Sequence, residues 1–432
     1  AKAIRMGEEA LAGVRLLPSF LGATGDRTYL LALQDGSRQR ATGGTVVAYA
    51  LVRADGGRLA LLRGGPIEAV DDPAGLPNIA LPPSVSWFLE NVEGLPAQPR
   101  LADINLSPDF PAAARAWSIL LEEATGRRVD GVIALDAVAI SYLLGEGAMR
   151  VPSFGDAITG ENAVEAITND SYNLPPLRRQ AFVAAVLAGT WELISRPDPL
   201  VPTVKQLGRG LREKHIQMWS TDPNEQLQMD RLGWDGGLDA GTGDFLYVTN
   251  NALLSTRVDY YTYLTIVYDV VVKADGAIES SSRIGLSNES PEGLPPSIAG
   301  RQGPRYALNR ALVGVYAPGR ARLESSQPAE VLPSHVEGRA RVFMAAISVR
   351  PDRARAVRFD YSVPGVIRSI GGRKVYRLTV QHQPLLNPAE LTVNVRLPDG
   401  STVLSAPGWT VNGNEATLKV VLTRDLVTEI AF

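Results

Sequence analysis

The pattern of hydrophobic and polar positions changes once along the chain. Up to about residue 235, apolar runs of strand length alternate with segments whose apolar residues recur at helical spacing. Strands are predicted at 28–34, at 129–136 and in a hairpin at 45–65, and the clearest helices at 108–125 and 177–195. Helices that alternate with strands in this way predict an α/β domain.

From about residue 244 onward, β-branched and aromatic residues fill short runs separated by Pro, Gly and Asn, which predicts one or two antiparallel β-sandwich modules. We therefore divide the chain into an N-terminal helix or stalk remnant at 1–20, an α/β domain at 21–235, a β-rich domain at 236–335 and a β-sandwich-like domain at 336–432. Packing of the last two as one unit is also compatible with the pattern.

The first residues have helical periodicity. Ile4, Leu11, Val14 and Leu17 recur at near-helical spacing, and Pro18 is expected to end the helix. The segment fits either the end of a stalk from an upstream membrane anchor or a packed terminal helix.

Composition excludes several kinds of chemistry. The 432 residues include no Cys, so a disulfide framework and a thiol nucleophile are excluded, and with only three His a multi-histidine metal site is nearly excluded. Lys and Arg number 43 against 46 Asp and Glu, a net charge of −3 that argues against a dedicated nucleic-acid binder. No stretch reaches the roughly 18 apolar residues of a membrane-spanning helix. Arginines and carboxylates remain as candidate functional groups.

The segment 35–44 is the most informative one. Arg38 and Arg40 precede Thr42-Gly43-Gly44 in a short loop before a strand. One guanidinium group can bind two phosphoryl oxygens at once, and glycines let backbone N–H groups approach an anion. The loop therefore suits a phosphate. It lacks the Gly-Lys-Ser/Thr ending of a P-loop, and a solvated loop explains the same residues.

A second basic cluster begins the long apolar helix. Arg178, Arg179 and Gln180 lie where cations are unfavourable for an isolated helix, which indicates a nearby anion. The alternative is a surface pair, or arginines bonded to Asp170 or another carboxylate. Arg63 follows an apolar strand and is a candidate for the same place.

Carboxylates suit Mg²⁺ shared with substrate phosphates. The candidates are Asp35, Asp103 and Asp109, although Asp109 also resembles a helix cap and Asp103 a turn residue. The tyrosines of 260–268 are expected in a sandwich core on alternating faces rather than on a sugar platform, and His215 is expected to be structural.

Five segments occur in a recognisable order: YLLALQDGSRQRATGGTVVAYALV, LADINLSPDFPAAARAW, GRRVDGVIALD, ITGENAV and LRRQAF. Together they resemble the bacterial domain-of-unknown-function 4012 family, over roughly residues 10–432, with RQRATGG, SPDFP and VDGVIALD as the most specific parts. The resemblance implies an extracytoplasmic envelope protein, anchored through an N-terminal membrane helix.

The same order more distantly resembles the LytR-CpsA-Psr phosphotransferases, which attach glycopolymers from undecaprenyl-pyrophosphate carriers to the bacterial cell wall. That resemblance implies an α/β/α domain with a mixed central sheet. It places Asp35 on the family's first acidic position, Arg40 and Arg63 on the arginines of the second and third motifs, and Arg179-Gln180 on its late Arg-Gln pair.

Two acidic positions of that family are replaced. Thr42 or Gly43 takes the place of the second-motif carboxylate, and Gly64 follows the third-motif arginine where the family has aspartate. The late motif also lacks its upstream arginines, because TNDSYNLPP occupies that span.

The first hypothesis is therefore an envelope protein that binds a polyprenyl-pyrophosphate-linked glycopolymer. If the protein is an enzyme, it would transfer this polymer to a cell-wall or surface acceptor. An apolar groove would hold the polyprenyl tail. Asp35 and Arg40 would be catalytic; the pyrophosphate would contact Arg38, Arg40, Arg63, Arg178, Arg179 and Gln180; and Mg²⁺ would be held by Asp35, Asp103 and Asp109. The variants Arg40→Ala and Arg179→Ala are expected to lose binding and keep the fold.

The second hypothesis is a non-catalytic, cell-surface glycan-binding or assembly protein built on a degenerate domain of this kind. A glycoside hydrolase, the third, needs two carboxylates about 5–10 Å apart, and no pattern singles out such a pair.

Overall fold

The computed structural model describes residues 13, 16, 18–23, 25–71, 75–76, 79–95, 98–152, 154–195 and 200–432. It is a mixed α/β structure with two compact units, Ala1–Gly237 and Leu238–Phe432. Most of the helix predicted at 1–17 lies outside the described residues. Residues 18–20 are helical, so Pro18 does not end the helical conformation as expected, because the φ angle of proline is itself compatible with a helix.

The first unit is built on a five-stranded sheet with the order β3-β2-β1-β4-β7. Its strands, and the separate pair β5–β6, are β1 (Arg27–Asp35), β2 (Thr45–Asp55), β3 (Arg58–Pro66), β4 (Gly131–Asp136), β5 (Ala148–Met149), β6 (Ile158–Thr159) and β7 (Ile216–Ser220). In this sheet β1 and β4 run parallel and the other neighbours antiparallel. The predicted hairpin at 45–65 is present as β2 and β3.

Helices cover both faces of this sheet. They are α1 (Pro83–Asn91), α2 (Phe110–Thr125), α3 (Ala137–Leu144), α4 (Ala163–Thr168), α5 (Pro176–Ser195), α6 (Leu200–Arg212) and α7 (Pro223–Leu232). Leu31 and Leu33 of β1 belong to the core that contains α3, α4 and α5, whereas Leu30 belongs to the core that contains α2. Burial on both faces explains why β1 is apolar at successive positions instead of alternate ones.

The second unit consists of two seven-stranded sheets and the short helix α8 (Pro296–Ala299). One sheet has the order β12-β15-β10-β9-β18-β20-β19, and the other has β13-β14-β11-β8-β17-β16 with β21 also paired to β17. The strands are β8 (Asp244–Ala252), β9 (Thr262–Val272), β10 (Ile278–Asn288), β11 (Asn309–Pro318), β12 (Arg322–Gln327), β13 (His335–Glu337), β14 (Ala340–Val349), β15 (Arg353–Val363), β16 (Arg368–Ile370), β17 (Arg373–Gln381), β18 (Ala389–Arg396), β19 (Thr410–Asn412), β20 (Glu415–Leu422) and β21 (Leu426–Ala431).

Buried side chains from both sheets form one hydrophobic core. Tyr268 is fully buried in it while Tyr263 is 44% exposed. The expectation of purely antiparallel strands is wrong, because β17 pairs parallel to β8 and β18 pairs parallel to β9. Strands from 236–335 and from 336–432 share both sheets, so these two segments lie in one unit.

Among the residues that the structure describes, no helix combines the length and the apolar character needed to cross a bilayer.

Candidate functional site

The candidate site lies where the two parallel strands of the first sheet end. Gln34 is paired with Asp136, so the last residues of β1 and β4 are neighbours at one edge of the sheet. The carboxyl ends of parallel strands are where α/β folds usually bind ligands. The loop 36–44 leaves from this edge and returns as β2.

Asp35 is fully buried at this edge and is surrounded by donors. One carboxylate oxygen accepts hydrogen bonds from the backbone N–H of Ser37 at 3.0 Å and from its hydroxyl at 2.6 Å. The other accepts the Tyr172 hydroxyl at 2.5 Å and Nη2 of Arg179 at 3.1 Å. The Arg179 guanidinium also lies 3.6 Å from the centre of the Tyr172 ring. We call Asp35, Ser37, Tyr172 and Arg179 the Asp35 cluster.

Asp103 is the centre of a second group, the Asp103 cluster, formed with Arg38, Arg40 and Thr45. Its Oδ1 lies 2.5 Å from Nη2 of Arg40 and 3.0 Å from Nη1 of Arg38, and it accepts the Thr45 hydroxyl at 3.2 Å. Arg40 is fully buried. Burial by itself would raise the pKa of Asp103, but the charges of Arg40 and Arg38 outweigh it and hold that pKa well below its usual range.

The glycines of the Thr42-Gly43-Gly44 segment have a structural explanation. A Cβ on Gly44 would lie 2.2 Å from the carbonyl oxygen of Asp35, and one on Gly43, whose φ is +136°, would lie 3.1 Å from the Gln34 side chain. The loop therefore packs directly against the end of β1. Close approach of two backbone segments, rather than of backbone to a phosphate, accounts for these residues.

The variant Gly44→Ala is expected to lower the free energy of unfolding by about 1–3 kcal/mol, because the added methyl group meets backbone atoms that have little room to move. Urea unfolding followed by circular dichroism measures the effect. Gly155→Ala is the matched control, since its Cβ would meet no atom within 4 Å. Equal stability of the two variants would contradict this account of the loop.

One basic candidate, Arg63, lies apart from the two clusters. Arg63 is exposed on β3 and is paired with Leu51, which in turn is paired with Leu30. That register places Arg63 five residues along the strand direction from Asp35, or about 16 Å at 3.3 Å per residue. The prediction that Arg63 joins the other arginines is therefore not supported by its position.

Residues at the start of two helices complete the candidate set. Arg178 is exposed in the first turn of α5, beside Arg179, and Gln180 is partly buried in the next position. Asp109 directly precedes α2, where its side chain forms no capping hydrogen bond.

The aspartates predicted to hold Mg²⁺ are not arranged as a metal site. Among the described residues, no group of three or more acidic or histidine side chains could hold a metal ion. Asp35 and Asp103 are instead each neutralised by arginine, and both oxygens of Asp35 accept hydrogen bonds from protein groups. The residues present do not fit Mg²⁺, because a metal would have to displace these arginines.

Among the residues that the structure describes, the cavity beside α2 is too small for a polyprenyl chain. A cavity lined by residues such as Leu30, Tyr49, Trp117 and Leu121 has a volume of about 10 Å³. That volume corresponds to about one water molecule.

Several residues of this edge were not predicted from the sequence. Tyr172 closes the Asp35 cluster from within the TNDSYNLPP span, which was noted only for its missing arginines. His215 contacts Asp136, with 2.6 Å between Nδ1 and Oδ2, while Asp136 also accepts the N–H groups of Val138 and Ala139 at the start of α3. The Asp-Ala dipeptide before a helix is a capping signal, but nothing in it indicates the histidine 79 residues away.

Similarities to solved structures are weak. A protein from Streptococcus agalactiae is 14% identical with a TM-score of 0.30, and the match covers 50% of this chain and 76% of that one. A proposed nutrient-binding protein of Legionella pneumophila is 7% identical with a TM-score of 0.27, and the match covers 44% of this chain and 71% of that one. An M1 zinc metallopeptidase of Deinococcus radiodurans is 13% identical with a TM-score of 0.23, and the match covers 39% of this chain and 42% of that one. At such TM-scores these similarities establish no common fold.

The chain matches no curated protein. A family model does match, over residues 24–172, which is less than the span of 10–432 expected from the motifs. The matched part contains β1 to β4, the loop 36–44 and both buried aspartates of the two clusters. Residues 24–172 are therefore a domain of the family described as protein of unknown function, DUF4012, as the order of motifs indicated.

Proposed function

We propose that this protein binds a polyprenyl-pyrophosphate-linked glycan, or a similar phosphate-bearing polymer, at the bacterial envelope and does not transfer it. The proposal that the protein does not transfer the glycan rests on the pairing of its two buried aspartates with arginine. Asp35 and Asp103 are each buried against arginine, so neither is available to hold Mg²⁺ or to accept a proton from an acceptor hydroxyl.

The first half of the proposal rests on the start of α5. Arg178 is exposed in the first turn of this 20-residue helix, next to Arg179 of the Asp35 cluster. N–H groups in a first helical turn have no partner within the helix, and the helix dipole favours an anion there. Pro176 has no N–H, and the N–H of Arg179 donates to the Pro175 carbonyl at 2.9 Å. A pyrophosphate would therefore be bound by the Arg178 side chain and by the N–H groups of Leu177 and Arg178, while Asp35 and Tyr172 hold Arg179 in place.

Three finer expectations belong to the same proposal. Residues 21–235 would be a degenerate LytR-CpsA-Psr-like domain, in which arginines remain and metal-binding carboxylates are lost. The two sheets of the second unit would form a β-sandwich that presents this domain. The protein would act outside the cytoplasmic membrane, to which an N-terminal segment would anchor it.

Calorimetry with a soluble short-chain prenyl pyrophosphate tests the proposal. We expect binding by the wild type that is unchanged by EDTA, and binding by Arg178→Ala that is weaker by about 10-fold or more, because a charge-assisted contact contributes about 1.5–3 kcal/mol. Arg63→Ala, another exposed arginine, is the matched control and should bind as the wild type does.

Binding that depends on Mg²⁺, or release of the prenyl phosphate in the presence of a glycan acceptor, would favour the transferase and contradict a purely binding role. Absence of binding, or equal binding by Arg178→Ala, would contradict the site at α5.

A further inference from the structure

A cleft of about 610 Å³ lies at the opposite edge of the first sheet from the Asp35 cluster. It is lined by Ser220 and Thr221 at the end of β7, and Ser220 is paired with Gly131 at the start of β4. The length of β4 separates this edge from Asp136, a distance of about 17 Å. The volume is in the range of about 300–1,000 Å³ that small-molecule sites occupy.

The walls of the cleft carry opposite charges. Arg115 is exposed on α2, and Asp230 is exposed at the end of α7. Within the described part of the chain, no ion pair joins either side chain to another residue. Trp219, Pro223 and Leu227 supply the apolar lining.

Asp235 adds a buried carboxyl group next to Asp230. Its two oxygens accept hydrogen bonds from Nε2 of Gln226 at 2.9 Å and from the N–H of Gly237 at 3.0 Å. Burial raises the pKa of Asp235 to about 6; the Gly237 N–H and Lys214 oppose this rise, and Asp230 adds to it. A cation near both carboxyl groups would favour their ionised forms.

We propose that this cleft binds a small zwitterionic ligand of the size of a short peptide, with its ammonium group against Asp230 and Asp235 and its carboxylate against Arg115. A ligand that carries both charges can pair with Arg115 and with the two aspartates at the same time. A neutral saccharide pairs with neither, and a simple anion pairs only with Arg115. This site is independent of the pyrophosphate site at α5.

Calorimetry with trialanine on the full chain tests this inference. N-acetyl-trialanine lacks the ammonium group and trialanine amide lacks the carboxylate, so each is expected to bind at least about 10-fold more weakly, which corresponds to one lost charged contact. At pH 6, trialanine binding is expected to release protons, measured as a heat that depends on the ionisation enthalpy of the buffer.

Variants locate the site. Asp230→Asn and Arg115→Ala are both at exposed positions and should weaken trialanine binding by about 10-fold or more, and Asp235→Asn should remove the proton release. Glu123→Gln in the last turn of α2 and Arg127→Ala just after that helix, both at exposed positions, are the matched controls. Lack of saturable binding, equal affinity for the N-acetyl form, tighter binding of maltotriose, or insensitivity to Asp230→Asn would overturn the inference, whatever the result with prenyl pyrophosphate.

Discussion

Replacing Arg40 with alanine is expected to lower the free energy of unfolding by about 3–5 kcal/mol, because removal of one partner of a buried ion pair leaves the other charge uncompensated. Arg40 is fully buried and its Nη2 lies 2.5 Å from Asp103. Arg38 stays next to Asp103 in the variant, which places the expected loss toward the lower end of this range. Urea unfolding measures it.

The double variant Arg40→Ala/Asp103→Ala separates charge from packing. It removes both members of the pair, so it should be less destabilised than the sum of the two single variants. Arg63→Ala is the control for loss of an arginine and should stay within about 0.5 kcal/mol of the wild type. Wild-type stability of Arg40→Ala would restore the expectation drawn from the sequence, that this arginine can be removed without harm to the fold.

The second large effect concerns Asp244, a fully buried carboxyl group in the core of the second unit. Its Oδ2 accepts the hydroxyl of Tyr376 at 2.6 Å and that of Tyr268 at 2.8 Å. Burial raises the pKa of Asp244 from 3.8 to about 6, although both tyrosines lower it in part. Such a rise corresponds to about 3 kcal/mol.

The direction of the pH effect follows from this shift. Between about pH 4 and pH 6 the folded protein holds a proton at Asp244 that the unfolded chain has released, so this group stabilises the fold at pH 4 and the stabilisation is lost as the pH rises through about 6. Unfolding of the wild type and of Asp244→Asn should be compared across this range.

The wild type should lose about 2.4 kcal/mol relative to Asp244→Asn between pH 4 and pH 7, because the carboxyl group of the unfolded chain is already more than half ionised at pH 4. Subtraction of the two curves removes the contribution of other groups, among them Asp103, whose lowered pKa acts in the opposite direction. Asp399→Asn, at an exposed position, should run parallel to the wild type. Parallel curves for the wild type and Asp244→Asn would contradict the assignment.

The sequence predicted the fold where local signals are strong. The apolar run before Asp35 and the hairpin around Gly56 became β1, β2 and β3, because burial on two faces and a turn are each encoded within a few residues. The parallel pairs of the second unit were missed. β17 lies more than a hundred residues after β8, and no turn or periodicity specifies which distant strand it joins.

At the candidate site, the sequence indicated the residue types but not their partners. Arg40 and Asp35 were both selected, yet the partner of Arg40 is Asp103, 63 positions later, and the partner of Asp35 is Arg179, 144 positions later. In the sequence, an arginine near glycines indicates a phosphate ligand. In the structure, a buried carboxylate already neutralises this arginine. Tertiary contact, not local pattern, distinguishes the two roles.

The parallel pairs β17–β8 and β18–β9 also bear on how the second unit folds. Both β8 and β9 lie inside their sheets, yet one neighbour of each comes from the last quarter of the chain. Contacts of such high sequence separation slow folding, because loop closure costs entropy before the contacts can compensate for it. During synthesis, one side of β8 and of β9 therefore stays open until residues 373–396 leave the ribosome, and the unit is completed late and as a whole.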